Sequence, residues 1–237
     1  MWRPGSRVYD VAPGPGWRRV PTATIGSVAV VCSGGMTRTL VLVRHGETAW
    51  NREGRFQGHT DISLSDIGRS QARALRVRLE AAHPHLFDDA HTAILTSDLR
   101  RAHETAEIAF GGGGRVLHVR RELREFCYGV FEGLTRREID ERFPGAMAAW
   151  LEGDRGFAVE GGESRDQVHT RTQAAVRSFL AEAPQRHVVI VAHGGVMRQL
   201  LSACFAQTGE PRGLSFGNTA THVIHVEPKA WSYLGQL

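Results

Sequence analysis

The stretch Leu40-Val41-Leu42-Val43-Arg44-His45-Gly46-Glu47-Thr48 decides the fold. Four consecutive apolar residues form a short buried strand. The run stops at an arginine, a histidine and a glycine, which places a guanidinium and an imidazole at the strand's carboxyl end. In open α/β sheets that end is where ligands bind. Arginine there points to an anion, because its fork of donors matches phosphate or carboxylate. The histidine beside it has three open roles: nucleophile, general base or passive hydrogen-bond donor.

The same pattern recurs outward from this run. Thr92-Ala93-Ile94-Leu95-Thr96 and His187–Ala192 are apolar strands, and the second ends in His193-Gly194-Gly195. Val116–Val119 is a further strand, and Thr221–Glu227 and Trp231–Leu234 close the chain as two more. Gly46 to Asp61 is expected to be loop. A helix is expected over Ser65–His83, capped by Ser65, with Ile67, Ala72, Leu75 and Leu79 on its apolar face. Others are expected from Ser97 or Asp98 as cap to about Ala109, over Arg136–Phe143 and over Ala146–Leu151. Two more run from about Ser164 to Ala183, before Pro184, and over about Met197–Ala206. Strands alternating with helices predict an α/β fold of three layers, a mostly parallel central sheet with helices on both faces.

The chain has 237 residues, 41% hydrophobic and 23% charged, which suits one sizeable core. Residues 36–237 are expected to form a single domain. Residues 1–35 differ, with Pro4, Gly5, Pro13, Gly14, Pro15 and Gly16 breaking regular structure. They are expected to be a disordered tail or an extension, with Met36 as the functional start. The formal charge is +4 and the pI about 9.4, but Arg3, Arg7, Arg18 and Arg19 against Asp10 hold +3 of it. The near-neutral remainder has no basic stripe, so a nucleic-acid partner is not expected. No apolar run is long enough to span a bilayer, so no membrane partner is expected either. Cys32, Cys127 and Cys204 are too sparse for a disulfide framework or a zinc site, as in a cytoplasmic protein with reduced thiols.

Paired His45-Gly46 and His193-Gly194 after two buried strands argue against incidental core histidines. If those strands are parallel neighbours, both rings emerge at one rim. Glycine after each histidine would let backbone amides approach a ligand. Arg101 opens a helix whose amino-terminal end faces the same rim and favours an anion. Arg100, its neighbour, suits a solvated face. Glu125 follows the third strand, as a rim loop should.

In this order the residues resemble the histidine phosphatase superfamily, also called the phosphoglycerate mutase-like family. The motifs are Arg44-His45-Gly46-Glu47-Thr48 with Asn51; Ser97-Asp98-Leu99-Arg100-Arg101-Ala102 with Thr105-Ala106; Glu125 with Tyr128-Gly129 and Glu132-Gly133; Gly161-Gly162-Glu163-Ser164; and His193-Gly194. The resemblance spans Thr39 to about Val226. It implies a phosphoglycerate mutase-like fold and phosphoryl transfer through a phosphohistidine on His45. Arg44, Arg101 and His193 would grip the phosphoryl oxygens, and Glu125 would act as acid and then base. Asn51, Gln57, Gly58, Thr48 and Gly194 would contact the phosphate or the substrate body. No metal or other cofactor is implied, since arginines and histidines supply the positive charge.

The compact segment between Glu125 and His193, its Gly161-Gly162-Glu163-Ser164, and Gly195 where glycolytic mutases have asparagine favour the phosphatase branch. The expectation is a histidine acid phosphatase-like phosphomonoesterase acting on a small phosphorylated metabolite. The alternatives are phosphoglycerate mutase-type transfer and a non-catalytic phospho-ligand sensor. A homodimer is compatible with the sequence, which leaves the oligomeric state open. Intact mass of the native protein checks the expected start at Met36, and a species beginning at Met1 overturns it.

Overall fold

In the computed structural model the described residues are 37–205, 214–227 and 230–237. The expectations for residues 1–35, Met36 and Cys32 lie outside them. One six-stranded sheet organises the rest: β1 (Arg38–Arg44), β2 (Thr92–Ser97), β3 (Leu117–Arg120), β4 (His187–Ala192), β5 (Thr221–Val226) and β6 (Trp231–Gln236). Their spatial order is β3-β2-β4-β1-β5-β6. Pairings β1/β4, β2/β4 and β2/β3 are parallel, and β5 runs antiparallel to both β1 and β6.

Alternation along β1 explains the layers. Leu40 and Leu42 pack on one face with Val188, Ile190 and Leu95, beneath α6 (Arg165–Glu182) and α7 (Gly194–Ser202). Val41 and Val43 pack on the other with Val189, Val191 and Ile94, beneath α2 (Asp66–Ala82) and α3 (Arg100–Phe110). A strand covered on both faces has no polar face, which is why β1, β2 and β4 are continuous apolar runs. A smaller cluster of Phe131, Ile139, Ala146, Met147 and Val159 joins α4 (Arg136–Arg142) to α5 (Ala146–Glu152). No described helix is long and apolar enough to cross a membrane.

Several local expectations need correction. The segment taken as loop after Gly46 contains a short helix, α1 (Ala49–Arg52), closed by a reciprocal cap between Thr48 and Asn51. Ile67 is half exposed rather than on the apolar face of α2, because the buried stripe runs Gly68, Ala72, Leu75, Leu79. Neither Ser97 nor Asp98 caps α3, whose N-cap position is Leu99. The Asp98 carboxylate is instead gripped by both arms of Arg124 at 2.8 and 2.7 Å. Helix α7 begins at Gly194, three residues before the expected start, directly after His193.

The turn after β1 meets the start of α2 glycine to glycine. A Cβ on Gly46 or on Gly68 would overlap the backbone of the other segment, at the Gly68 carbonyl and the Glu47 carbonyl respectively. Alanine at a helical position is ordinarily worth about 1 kcal/mol over glycine. At position 68 overpacking reverses the sign, and Gly68→Ala should lower the unfolding free energy by about 1–3 kcal/mol in urea titration. Stability equal to or above that of the wild type would contradict the close approach.

Candidate active site

Parallel pairing sets Arg44 opposite Ala192, so His45 and His193 leave the sheet side by side. The His45 amide donates to the Ala192 carbonyl at 3.0 Å. The two imidazoles lie 5.2 Å apart, centroid to centroid, tilted by 59°. Both are buried, His45 at 3% exposure and His193 at 0%. His45 Nδ1 lies 2.7 Å from the Gly46 carbonyl. A carbonyl can only accept, so Nδ1 carries the proton and Nε2 of the neutral ring holds a free lone pair.

Gly46 serves a purpose other than the expected one. The Gly46 amide is taken by the Thr105 hydroxyl at 3.0 Å, so it does not face a ligand. Its missing side chain admits α2 instead. Gly194 starts α7 against the Arg44 side chain and does not line the cleft.

A cleft of about 190 Å³ opens over this rim, lined by Arg44, His45, Asn51, Gln57, Gly58, Arg101 and Glu125. Gly54, Arg55, Phe56 and Tyr128 complete its wall. The sequence reading did not place these four at the site, although Tyr128 stands in one of the quoted motifs. Thr48 is fully buried outside the cleft. Its hydroxyl caps α1, accepting from the Asn51 amide and donating to Asn51 Oδ1, each at 3.2 Å. Asn218 Nδ2 ties the same Asn51 oxygen to the His45 carbonyl, at 3.2 Å to each.

The two arginines are held in the same way. Arg101, in the first turn of α3 and 1% exposed, donates Nη1 to the Thr60 carbonyl and Nη2 to the Gly58 carbonyl, at 2.9 and 2.7 Å. Arg44 Nη1 donates to the Phe216 carbonyl. The buried Nε of each has no hydrogen-bond partner among the described residues, and neither ring nitrogen of His193 has one. Gln57 Oε1 is likewise unmatched. Buried polar atoms are normally paired, so a cluster of unpaired donors beside one imidazole demands an explanation.

Carboxylates organise the loops behind these groups. Glu132 accepts from the His59 and Tyr128 amides through Oε1, and from the Thr60 amide and hydroxyl through Oε2. It thereby shapes the turn whose carbonyls hold Arg101. Glu125 accepts from the Phe126 amide at 2.9 Å and from the Gly195 amide, in the first turn of α7, at 3.0 Å. A Cβ on Gly195 would overlap the Glu125 carboxylate, so glycine is required for that approach. Cys127 stands nearby, its thiol donating to the Gly161 carbonyl at 3.2 Å and its pKa raised by burial. Among the described residues no group of three or more His, Cys, Asp or Glu side chains could hold a metal ion.

Burial, then Arg101 and Arg44, push the His45 pKa well below its ordinary 6.5. Burial, then Arg101, His45 and Arg44, do the same to His193. Burial lowers Arg101 to about 10, which leaves it charged at neutral pH. Burial, reinforced by the Glu125 charge, raises Tyr128 well above 10 and keeps its phenol protonated.

Comparison with known proteins gives the family. The family model of the histidine phosphatase superfamily (branch 1) matches residues 40–236. A glucosyl-3-phosphoglycerate phosphatase of Mycobacterium tuberculosis is 41% identical over 174 residues, covering 70% of this chain and 74% of that protein. Phosphoserine phosphatase 1 of Hydrogenobacter thermophilus is 34% identical over 197 residues, covering 80% and 87%. The solved structure of a mycobacterial glucosyl-3-phosphoglycerate phosphatase in complex with VO3 superposes with a TM-score of 0.71 at 36% identity, covering 83% of this chain and 97% of that one.

The depressed histidines carry a stability signature. In the unfolded chain both rings take up a proton as pH falls through about 6.5, whereas in the folded protein they do so only at lower pH. Below 6.5 the unfolded state binds more protons, so stability falls as pH falls. In a variant carrying His45→Asn and His193→Asn, the loss of unfolding free energy between about pH 7.5 and about pH 5 should be smaller than in the wild type. Equal losses would contradict the neutral buried pair.

Proposed function

The chain belongs to the histidine phosphatase superfamily, and from that premise we propose that it is a metal-independent phosphomonoester hydrolase that works through a phosphohistidine on His45. The observation that carries the proposal is the set of buried donors without partners beside a histidine whose Nε2 lone pair is free: Arg44 Nε, Arg101 Nε and the His193 ring. Three donors around one nucleophile match the three non-bridging oxygens of a transferring phosphoryl group.

His45 Nε2 attacks phosphorus, and a P–N bond forms as the bond to the ester oxygen breaks. Glu125 gives its proton to the departing alcohol. A water then passes a proton to Glu125 and attacks the phosphohistidine, releasing inorganic phosphate and restoring Nε2. Arg44, Arg101 and His193 hold the equatorial oxygens, where charge grows in the transition state. Losing one such fixed donor costs roughly 10²–10³ in rate. The lowered His45 pKa keeps the attacking ring unprotonated at neutral and mildly acid pH.

Two features support hydrolysis over transfer between two positions of a phosphoglycerate. The Arg136 and Arg137 side chains of α4 are exposed and paired along the helix with Asp140 and Glu141. Arg55, the further cation in the cleft wall, is engaged by Glu53 and Glu138 at 2.7 and 2.8 Å. No unmatched cation beyond Arg44 and Arg101 lines the cleft among the described residues. A cleft of about 190 Å³ suits a small phosphorylated metabolite. A relative solved in complex with VO3, an anion that mimics a phosphoryl group, supports the choice of anion.

The test is turnover of p-nitrophenyl phosphate in EDTA by the wild type and His45→Ala. The wild type should turn over, and acid-labile phosphate should be trapped on the protein at short times. His45→Ala should show neither, a loss of about 10³-fold or more. Substantial residual activity, or dependence on added metal, would overturn the mechanism.

A further inference from the structure

Arg171 lies on α6, outside the cleft lining, and all five of its N–H donors are engaged. Nε and Nη2 grip the two oxygens of Glu163, each at 2.8 Å. Nη1 donates to the Glu122 carbonyl at 2.6 Å and the Arg124 carbonyl at 2.8 Å, and Nη2 also donates to the Glu125 carbonyl at 2.9 Å. Glu163 extends the grip by accepting from the Cys127 amide at 2.9 Å, while its own amide donates to the Cys127 carbonyl at 2.8 Å. His59 Nε2 donates to the Glu125 carbonyl from a second side, at 2.9 Å. The backbone on both sides of Glu125 is thus pinned to one ion pair.

We propose that Arg171 and Glu163 are positioning residues for the leaving-group step: their ion pair holds the 122–127 backbone so that the Glu125 carboxylate meets the departing ester oxygen. The inference rests on the acid role given to Glu125 above. A guanidinium is required because three carbonyls and a bidentate carboxylate take five donors in a planar fork, and an ammonium has three. The pair makes no hydrogen bond to His45 or to the unpartnered donors. The Arg171 charge acts on His193, after burial, Arg101, His45 and Arg44. Arg171→Lys keeps that charge, so anion binding and nucleophilic attack do not depend on the geometry of the fork. Proton delivery does, and small displacements of a catalytic group cost up to about 100-fold.

The clamp therefore separates substrates by leaving group. A nitrophenolate departs without a proton, whereas an alkoxide does not. In Arg171→Lys, kcat for glycerol 3-phosphate should fall about tenfold more than kcat for p-nitrophenyl phosphate, with the inhibition constant of vanadate within about twofold of wild type. Glu163→Gln, which keeps the side-chain volume, should move the same ratio in the same direction and serves if Arg171→Lys does not fold. In a Glu125→Gln background neither change should alter the ratio further, because the group being positioned is already gone. Equal losses on both substrates in Arg171→Lys and Glu163→Gln, with Glu125→Gln itself shifting the ratio, would overturn the positioning role and leave the acid role standing. A Glu125→Gln enzyme with an unshifted ratio would overturn the acid role and this inference with it.

Discussion

The parallel register of β1 on β4 is the constraint on which the rest of the structure depends. With Arg44 opposite Ala192, the next residue of each strand is a histidine, and the two rings emerge 5.2 Å apart. A slip of one residue would turn Leu40 and Leu42 toward the opposite face and send the two histidines out at different heights. Burial of both faces of β1 makes that slip costly. The same apolar alternation that builds the core therefore sets the spacing of the site.

The second consequence is electrostatic. Arg101, His45 and His193 are buried at one rim and Arg44 is half-buried beside them, so two arginine charges stand where little water reaches them. Main-chain carbonyls of Phe216, Gly58 and Thr60 take one end of each guanidinium, which fixes its orientation without cancelling its charge. The remaining Nε donors and the His193 ring have no partner in the described structure. An unmatched buried donor costs about 1–3 kcal/mol, comparable with a sizeable fraction of a domain's net stability. An incoming anion would satisfy such a cluster. In the proposed reaction that anion is the phosphoryl group, whose negative charge also offsets those of Arg44 and Arg101.

Much of this arrangement was legible in the residues. Apolar runs of four to six residues identified β1, β2 and β4, because strands covered on both faces have no alternation to confuse them. Arg101 was separable from Arg100, and the structure buries the first and pairs the second with Asp61 at the surface. The supporting contacts were not legible. Glu132 and Glu163 stand in two of the quoted motifs, but with no role attached to either side chain, and Arg171 sits among ordinary charged residues of a helix that no spacing distinguishes. Thr48 entered as a contact only through the family resemblance, and its hydroxyl caps α1 in the structure. The need for glycine at positions 46, 68 and 195 comes from segments distant in the chain, whose approach no local pattern records.

The sequence by itself determined the α/β class, the strands that carry the two histidines, and the family whose chemistry those histidines share. The first two follow from local periodicity and residue type, and the family follows from the resemblance that the ordered motifs carry. Tertiary structure alone decided which Nδ1 proton is fixed, which arginine nitrogens remain for an anion, and which ion pair holds the acidic loop. The arginine and clamp contacts join residues tens of positions apart, set by how helices and loops seat on the sheet. The Nδ1 contact joins neighbours, His45 and Gly46, in a turn that Thr105 of α3 holds. A hydrogen bond's direction depends on that seating to within a few tenths of an ångström, and residue order alone does not specify it.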